Sequence, residues 1–180
     1  MRRAVLVIDM LVDFVEPGGA LRVPDAERIV SRVAEEIEDA RRRGDPVVYL
    51  CDAHAPDDRE FAKMGWPPHA VKGTRGAKVV DALTPAPYDP VVSKTAYSGF
   101  FGSRLEEVLR ERTLDTVRLT GCVTNICVLY TAADAAMRGY GVEVVEDAVA
   151  GLDPQDHAFA LRQMKSVLGC RLATREPADG

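Results

Sequence analysis

The sequence has no apolar stretch long enough to cross a bilayer, which excludes a membrane-spanning helix. It also has no excess of basic charge, since 23 lysines and arginines stand against 28 aspartates and glutamates, for a net charge of -5. Because nucleic-acid-binding domains usually present a basic face, we expect no nucleic-acid partner. The first apolar run reaches an acid at Asp9, too early for a signal peptide, so we expect a cytoplasmic protein without a membrane partner.

Cysteine and histidine are scarce as well. Four cysteines in 180 residues do not make a disulfide framework, and the apolar surroundings of Cys51 and Cys122 and the position of Cys170 near the last strand predict buried free thiols. Of the three histidines, His157 lies early in a predicted helix and is expected at the surface. The length suits one domain over residues 1–180 with its own core.

Short apolar segments alternate with helical patterns along the chain. Strands are predicted at 4–8, 46–51, 91–93, 116–119, 142–145 and 171–173, and helices at 25–43, 103–112, 125–138 and 154–168. This alternation predicts an α/β fold with a doubly wound, mainly parallel sheet of about six strands and helices on both faces. The stretch 52–78, dense in proline, glycine and charge, is predicted to be a functional loop, and the tail 174–180 is expected to fray.

Reactive side chains follow the predicted strands. Asp9 follows the first strand, Asp52 and His54 the second, Lys94 the third and Cys127 the fourth. In a doubly wound sheet, ligands collect beyond the carboxyl ends of the strands. We therefore expect these side chains to share one edge of the sheet.

The surroundings of Cys127 are typical of a nucleophile. The residue lies in the predicted first turn of a helix, where free amides and the helix dipole stabilise a thiolate and can hold an oxyanion. Asp9 follows a wholly apolar strand, so burial should raise its pKa and suit it to proton transfer, while Lys94 would favour the thiolate. The alternative is an Asp9–Lys94 ion pair beside an inert buried thiol.

A second group contains possible metal ligands. Asp52 and His54 are two residues apart and would point the same way on an extended segment, and His69 follows after a loop long enough to fold back. One carboxylate and two imidazoles suit a divalent zinc, manganese or iron ion. The alternative is a polar loop that binds no metal.

Five segments resemble the isochorismatase-like cysteine hydrolases, and among these most of all the nicotinamidases. Together they span nearly the whole chain in the order found in that family: residues 7–14, 52–54, 66–69 with 73–77, 93–100 and 121–128. The resemblance implies a catalytic triad of Asp9, Lys94 and Cys127. It also implies a cis peptide bond before Val123, and an oxyanion hole formed by the amides of Val123 and Cys127.

The resemblance further implies a divalent metal ion, which we expect to be zinc, with manganese and iron as alternatives. Its ligands would be Asp52, His54 and His69, with Glu60 as the first candidate for a fourth ligand and Asp58 as the next. In nicotinamidases the metal holds the pyridine nitrogen, so that the carboxamide carbon lies over the sulfur.

The aromatic residues Phe14, Trp66 and Tyr97 match positions near the substrate in nicotinamidases. The implied reaction is therefore hydrolysis of nicotinamide to nicotinate and ammonia through a thioester. Two departures concern the shape of the pocket: Leu11 stands where many nicotinamidases have a polar residue, and the segment around Lys94 is short.

Three alternatives remain open. Family amidases acting on N-carbamoyl or ureido compounds share the triad but generally lack the metal site. A general isochorismatase-family hydrolase, such as a true isochorismatase, need not use the thiol. A degenerate, non-enzymatic domain would have an unreactive Cys127. Because members of the family often assemble, we expect a homo-oligomer that acts on a small-molecule amide.

Overall fold

The computed structural model of the protein describes residues 2–174, and six strands within them form one sheet. The strands are β1 (Arg3–Ile8), β2 (Val47–Asp52), β3 (Val91–Lys94), β4 (Thr116–Cys122), β5 (Gly141–Ala150) and β6 (Arg171–Ala173). All their pairings are parallel, in the order β3-β2-β1-β4-β5-β6. The predicted doubly wound parallel sheet is confirmed, and its strand order reverses between β1 and β4.

The α-helices in the described residues comprise the four predicted ones and two additional short ones. They are α1 (Val12–Val15), α2 (Ala26–Arg43), α3 (Arg59–Met64), α4 (Leu105–Glu111), α5 (Leu129–Met137) and α6 (Pro154–Ser166). The unpredicted α1 and α3 have only four and six residues, too few to show a helical period. A π-helical turn, Thr124–Val128, precedes α5 and replaces the first turn of the predicted helix 125–138.

The sheet is covered on both faces. Alternate side chains of β1 enter different cores: Val5 and Val7 pack on the side of α2, whereas Leu6 and Ile8 pack on the side of α4, α5 and α6. This double burial explains why β1 is a continuous apolar run. All four cysteines are buried and free, as predicted.

Two expectations concern the ends of the chain and membranes. Of the tail expected at 174–180, residues 175–180 lie outside the described residues. Between residues 2 and 174, none of the helices has the length and apolar character needed to cross a membrane.

Candidate active site

The carboxyl edge of the sheet brings the three expected triad residues together. Asp9 directly follows β1, Lys94 is the last residue of β3, and Cys127 lies in the π-helical turn after β4. The ammonium nitrogen of Lys94 lies 2.8 Å from Asp9 Oδ2 and 3.4 Å from Cys127 Sγ. All three side chains are buried, so these charges interact with little screening by water.

Asp9 has the properties expected of a proton acceptor. Burial raises its pKa to about 6, the negative charge of Asp52 acts in the same direction, and Lys94 opposes both. Asp9 Oδ1 accepts a hydrogen bond of 2.8 Å from the Asp52 amide, which turns Oδ2 toward Lys94. The predicted rise in the pKa of Asp9 is confirmed, and a carboxylate with a pKa near neutrality is suited to proton transfer.

Cys127 needs a base to take its proton, as the sequence analysis expected of its partnership with Asp9. Burial raises the pKa of its thiol well above the usual value, and the negative charges of Asp9 and Asp52 add to this effect against the opposing charge of Lys94. The sequence predicted the first turn of an α-helix here, whereas the sulfur lies in a buried π-helical turn. The thiol therefore needs a base before it can attack.

A tight turn connects β4 to this segment. The peptide bond between Cys122 and Val123 is cis, as the resemblance implied. Gly121 has a φ of +103°, and a Cβ there would lie 2.0 Å from the carbonyl oxygen of Ile8. Only glycine allows the end of β4 to approach β1 so closely at this pair. Val123 directly precedes the π-helical turn and Cys127 lies within it. The resemblance implied that the amides of these two residues form the oxyanion hole.

Asp52, His54 and His69 form a compact group of buried potential ligands. One ligand atom from each lies within 4.8 Å of the others. His54 Nδ1 lies 3.0 Å from Asp58 Oδ2, and His69 Nδ1 lies 2.8 Å from the Pro67 carbonyl oxygen. With both Nδ1 atoms engaged, each ring has Nε2 left for a metal, the arrangement commonly found around protein-bound zinc.

The electrostatics of this group favour a cation. Although burial acts to lower the pKa of His54, the carboxylates of Asp52 and Asp58 raise it to about 9. Two imidazoles and a carboxylate also match the ligands that zinc prefers. The residues present therefore fit a divalent metal ion. Asp52 Oδ1 further accepts a hydrogen bond of 2.5 Å from Lys94, which joins this group to the triad.

The structure does not place either candidate fourth ligand in this group. Asp58 and Glu60 cluster with His54 alone, and Asp58 faces its Nδ1 atom. Glu60 contacts Tyr97 instead. Burial raises the pKa of Tyr97 to about 12, and the charge of Glu60 and its hydrogen bond from the Tyr97 hydroxyl add to this effect. Tyr97 also lies against Tyr130, with ring centroids 5.7 Å apart.

Aromatic rings surround the two histidines. The ring centroids of Phe14 and Trp66 lie 5.5 and 5.9 Å from that of His69. The sequence analysis missed Phe61, whose centroid lies 5.4 Å from His54 and 5.1 Å from His69. Phe61 lies on α3, within the stretch 52–78 that was predicted to be a loop. The helix could have been recognised from its capping residues, Asp58 at the start and Gly65 at the end.

The expected surface position of His157 is wrong. Its ring is half-buried, and Nδ1 lies 2.9 Å from the hydroxyl oxygen of the fully buried Thr124. Helix α6 therefore contacts the first residue of the turn that carries Cys127. Sequence periodicity could not show this contact, because it depends on how α6 packs against the turn.

Comparisons with known proteins agree with this geometry. The sequence matches the isochorismatase domain family over residues 3–176. It is 31% identical to the nicotinamidase of Escherichia coli over 96% of this chain and 94% of the relative. The structure of the pyrazinamidase of Pyrococcus horikoshii in complex with zinc is 36% identical, with a TM-score of 0.91 over 97% of this chain and 100% of that one.

A third similar protein is named for a carbamoyl substrate rather than for nicotinamide or pyrazinamide. N-carbamoylsarcosine amidase from Thermoplasma acidophilum is 40% identical, with a TM-score of 0.89 over 100% of both chains. The family match covers almost the whole chain, and the sheet and the edge that carries Cys127 agree with it. The protein therefore belongs to the isochorismatase family of hydrolases.

Proposed function

We propose that the protein is a metal-dependent cysteine amidohydrolase that converts nicotinamide to nicotinate and ammonia. The observation that carries this proposal is the contact of Lys94 with both groups of residues. Its ammonium contacts Asp9 and Cys127 of the triad and also the potential metal ligand Asp52. A thiol nucleophile this close to a metal group suits a substrate whose ring nitrogen can bind the metal while its carboxamide carbon faces the sulfur.

In the proposed reaction, Asp9 Oδ2 takes the proton of Cys127 as the sulfur attacks the carboxamide carbon. A carbon–sulfur bond forms, and the amides of Val123 and Cys127 hold the oxyanion. Asp9 then returns the proton to the leaving nitrogen, so that ammonia departs and a thioester remains. Asp9 next removes a proton from the water that attacks the thioester, and it returns this proton to the Cys127 sulfur as the carbon–sulfur bond breaks. The product leaves as the acid and loses its own proton to solvent to become the carboxylate.

The ring of the substrate would lie near Phe14, Trp66 and Tyr97, which offer flat apolar surfaces. Asp52, His54 and His69 would hold the metal, and the two imidazoles suit zinc or iron better than manganese. When bound there, the ion supplies a Lewis acid for the ring nitrogen. Lys94 keeps its charge beside Asp9 and Asp52, which offsets two buried carboxylates.

A second candidate is an amidase for N-carbamoyl compounds. The 40% identity to N-carbamoylsarcosine amidase over the whole chain favours it. Such enzymes generally lack the metal site, so metal analysis separates the two candidates. About one ion per chain supports nicotinamide as the substrate, and a metal-free active enzyme supports the carbamoyl compound.

The test of the proposed function is ammonia release by wild type and by Cys127→Ala. We expect wild type to release ammonia from nicotinamide and pyrazinamide faster than from carbamoyl amines. Cys127→Ala should lose roughly a thousandfold or more in kcat and keep its metal, because the nucleophile acts only in the chemical steps. Cys170→Ala, at a buried thiol near β6, is the matched control and should stay active. A Cys127→Ala enzyme with most of its activity would rule out the triad.

A further inference from the structure

We propose that Asp13 is a positioning residue that holds both histidines of the metal group through the backbone of Ala70. This inference rests on the proposed metal site and adds a residue that the reaction does not use. Asp13 lies on α1, within the first of the five segments that resemble nicotinamidases. Within residues 2–174, its carboxylate makes no hydrogen bond to Asp9, Lys94 or Cys127.

The carboxylate of Asp13 joins two loops. Asp13 Oδ2 accepts a hydrogen bond of 2.8 Å from the Ala70 amide, and Oδ1 accepts one of 3.2 Å from the Ala20 amide. The backbone of Asp13 makes two further hydrogen bonds. The Asp13 amide donates to the Gly76 carbonyl at 3.1 Å, and the Asp13 carbonyl accepts from the Leu21 amide at 3.1 Å. A charged acceptor makes stronger hydrogen bonds to amides than a neutral one, so the carboxylate is suited to fixing both loops.

Ala70 connects this carboxylate to both histidines. It directly follows His69, and its carbonyl accepts a hydrogen bond of 3.0 Å from the His54 amide. Ala70 is fully buried and has a φ of +44°, a left-handed conformation that residues with a Cβ rarely adopt. Such a conformation persists only where its surroundings hold it, and Asp13 supplies the acceptor for its amide.

Gly76 shows how closely the loop fits around this carboxylate. A Cβ on Gly76 would lie 2.0 Å from Asp13 Oδ2 and 2.5 Å from Oδ1. Its φ lies outside the left-handed region, so the demand for glycine comes from the carboxylate rather than from the backbone. A side chain there would displace the carboxylate from the Ala70 amide.

The main experiment measures zinc affinity by competition with a chromophoric chelator, without substrate. Asp13→Asn keeps the shape of the side chain but places an NH₂ donor against one of the two amides. We expect it to bind zinc about ten- to a hundredfold more weakly than wild type, as is typical when a residue that orients a metal ligand is changed. Gly76→Ala should also weaken zinc binding, because its methyl group displaces the Asp13 carboxylate although residue 13 itself is unchanged.

The matched control is Arg75→Gln. It removes an ion pair of 2.6 Å between Arg75 and Glu16, which joins the same two segments of the chain at the surface. If Asp13 acts by positioning, this control leaves zinc affinity unchanged. A folded Asp13→Asn protein that binds zinc as tightly as wild type overturns the proposal, as does an equal loss in Arg75→Gln.

A measurement on wild type decides the case if the variants do not fold. The Ala70 amide should exchange its hydrogen slowly in the metal-free protein, and exchange as fast as in an exposed loop would overturn the proposal. If wild type binds no divalent ion, the proposed metal-dependent function fails. The positioning role is then judged from the NMR signals of the His69 ring. They should shift in Asp13→Asn and not in Arg75→Gln, and signals unchanged in both would contradict it.

Discussion

At the scale of single residues, Lys94 has the most demanding position in the structure. Its ammonium lies 2.5 Å from Asp52 Oδ1, 2.8 Å from Asp9 Oδ2 and 3.4 Å from Cys127 Sγ. Although burial acts to lower the pKa of Lys94, the negative charges of Asp9 and Asp52 help raise it well above the usual value. The side chain therefore stays positively charged and offsets two carboxylates that share one buried space.

Replacing Lys94 by methionine tests this role. The change keeps the length of the side chain but leaves Asp9 and Asp52 facing each other without a cation, so one of them should bind a proton. We expect kcat to fall at least roughly a hundredfold, because a protonated Asp9 cannot act as the base. Steady-state ammonia release measures the effect, and Lys72→Met, at an exposed lysine of the 52–78 stretch, is the control. Activity within tenfold of wild type would contradict the role of Lys94.

At the scale of elements, a buried ionic network attaches α2 to the sheet. Arg118 of β4 is 1% exposed and donates hydrogen bonds to Glu36 of α2 at 2.6 and 3.0 Å and to Glu143 of β5 at 3.0 Å. Although burial acts to raise the pKa of Glu36, Arg118 and Arg32 lower it. The pKa of Glu143 is likewise lowered, against the effect of burial, by Arg171 and Arg118.

These lowered pKa values predict sensitivity to acid. A carboxylate with a lowered pKa in the folded state stabilises the fold fully above its unfolded pKa, near 4.5 for Glu36. That stability is lost as the pH falls through the folded value. We expect the free energy of unfolding, measured with urea, to decrease steeply below about pH 4.5.

Glu36→Gln tests the assignment of this acid sensitivity to the network. At pH 7 the variant should lose on the order of 3 kcal/mol of stability, because it leaves a buried arginine without one of its charged partners. Its stability should also fall less steeply with acid than that of wild type. Glu38→Gln, at an exposed position of the same helix, serves as the control. If the free energy of unfolding falls with pH equally in Glu36→Gln and in wild type, the acid sensitivity comes from groups other than Glu36.

At the scale of the whole molecule, metal binding and folding should be coupled. Asp52 ends β2, whereas His54 and His69 lie beyond it on segments that pair through a short parallel bridge between His54 and Val71. An unfolded chain would not hold these ligands together, so the free energy of metal binding adds to the stability of the fold. The expected homo-oligomer remains a prediction, which sedimentation equilibrium can test against the chain mass of 19.6 kDa.

Removal of the metal should therefore lower stability. With zinc at about a hundred times its Kd, wild type should gain about 2.7 kcal/mol in the free energy of unfolding, and a chelator should abolish the gain. Urea unfolding with and without zinc measures this difference. His69→Ala should show little response to zinc, because it has lost one of the three ligands. A wild-type protein whose stability is the same with zinc and with chelator would contradict the metal site.

The sequence by itself determined the sheet, its two covered faces and the edge at which the reactive residues meet. These features follow from local pattern, because an apolar strand that ends in a polar residue shows both its burial and the position of its carboxyl end. Asp9, Lys94 and Cys127 were identified in this way. The resemblance supplied the cis bond before Val123, which no local pattern predicts.

Only the tertiary structure decided which side chains meet across long separations and how deeply they are buried. It showed that Phe61 contacts both histidines, that Glu60 contacts Tyr97 rather than the metal group, and that Asp13 accepts a hydrogen bond from the Ala70 amide. It also showed that the sulfur of Cys127 is buried deeply enough to raise the pKa of its thiol well above the usual value, against the opposing charge of Lys94. Burial and charge act through space, so their effect on a pKa depends on neighbours that are distant in the sequence.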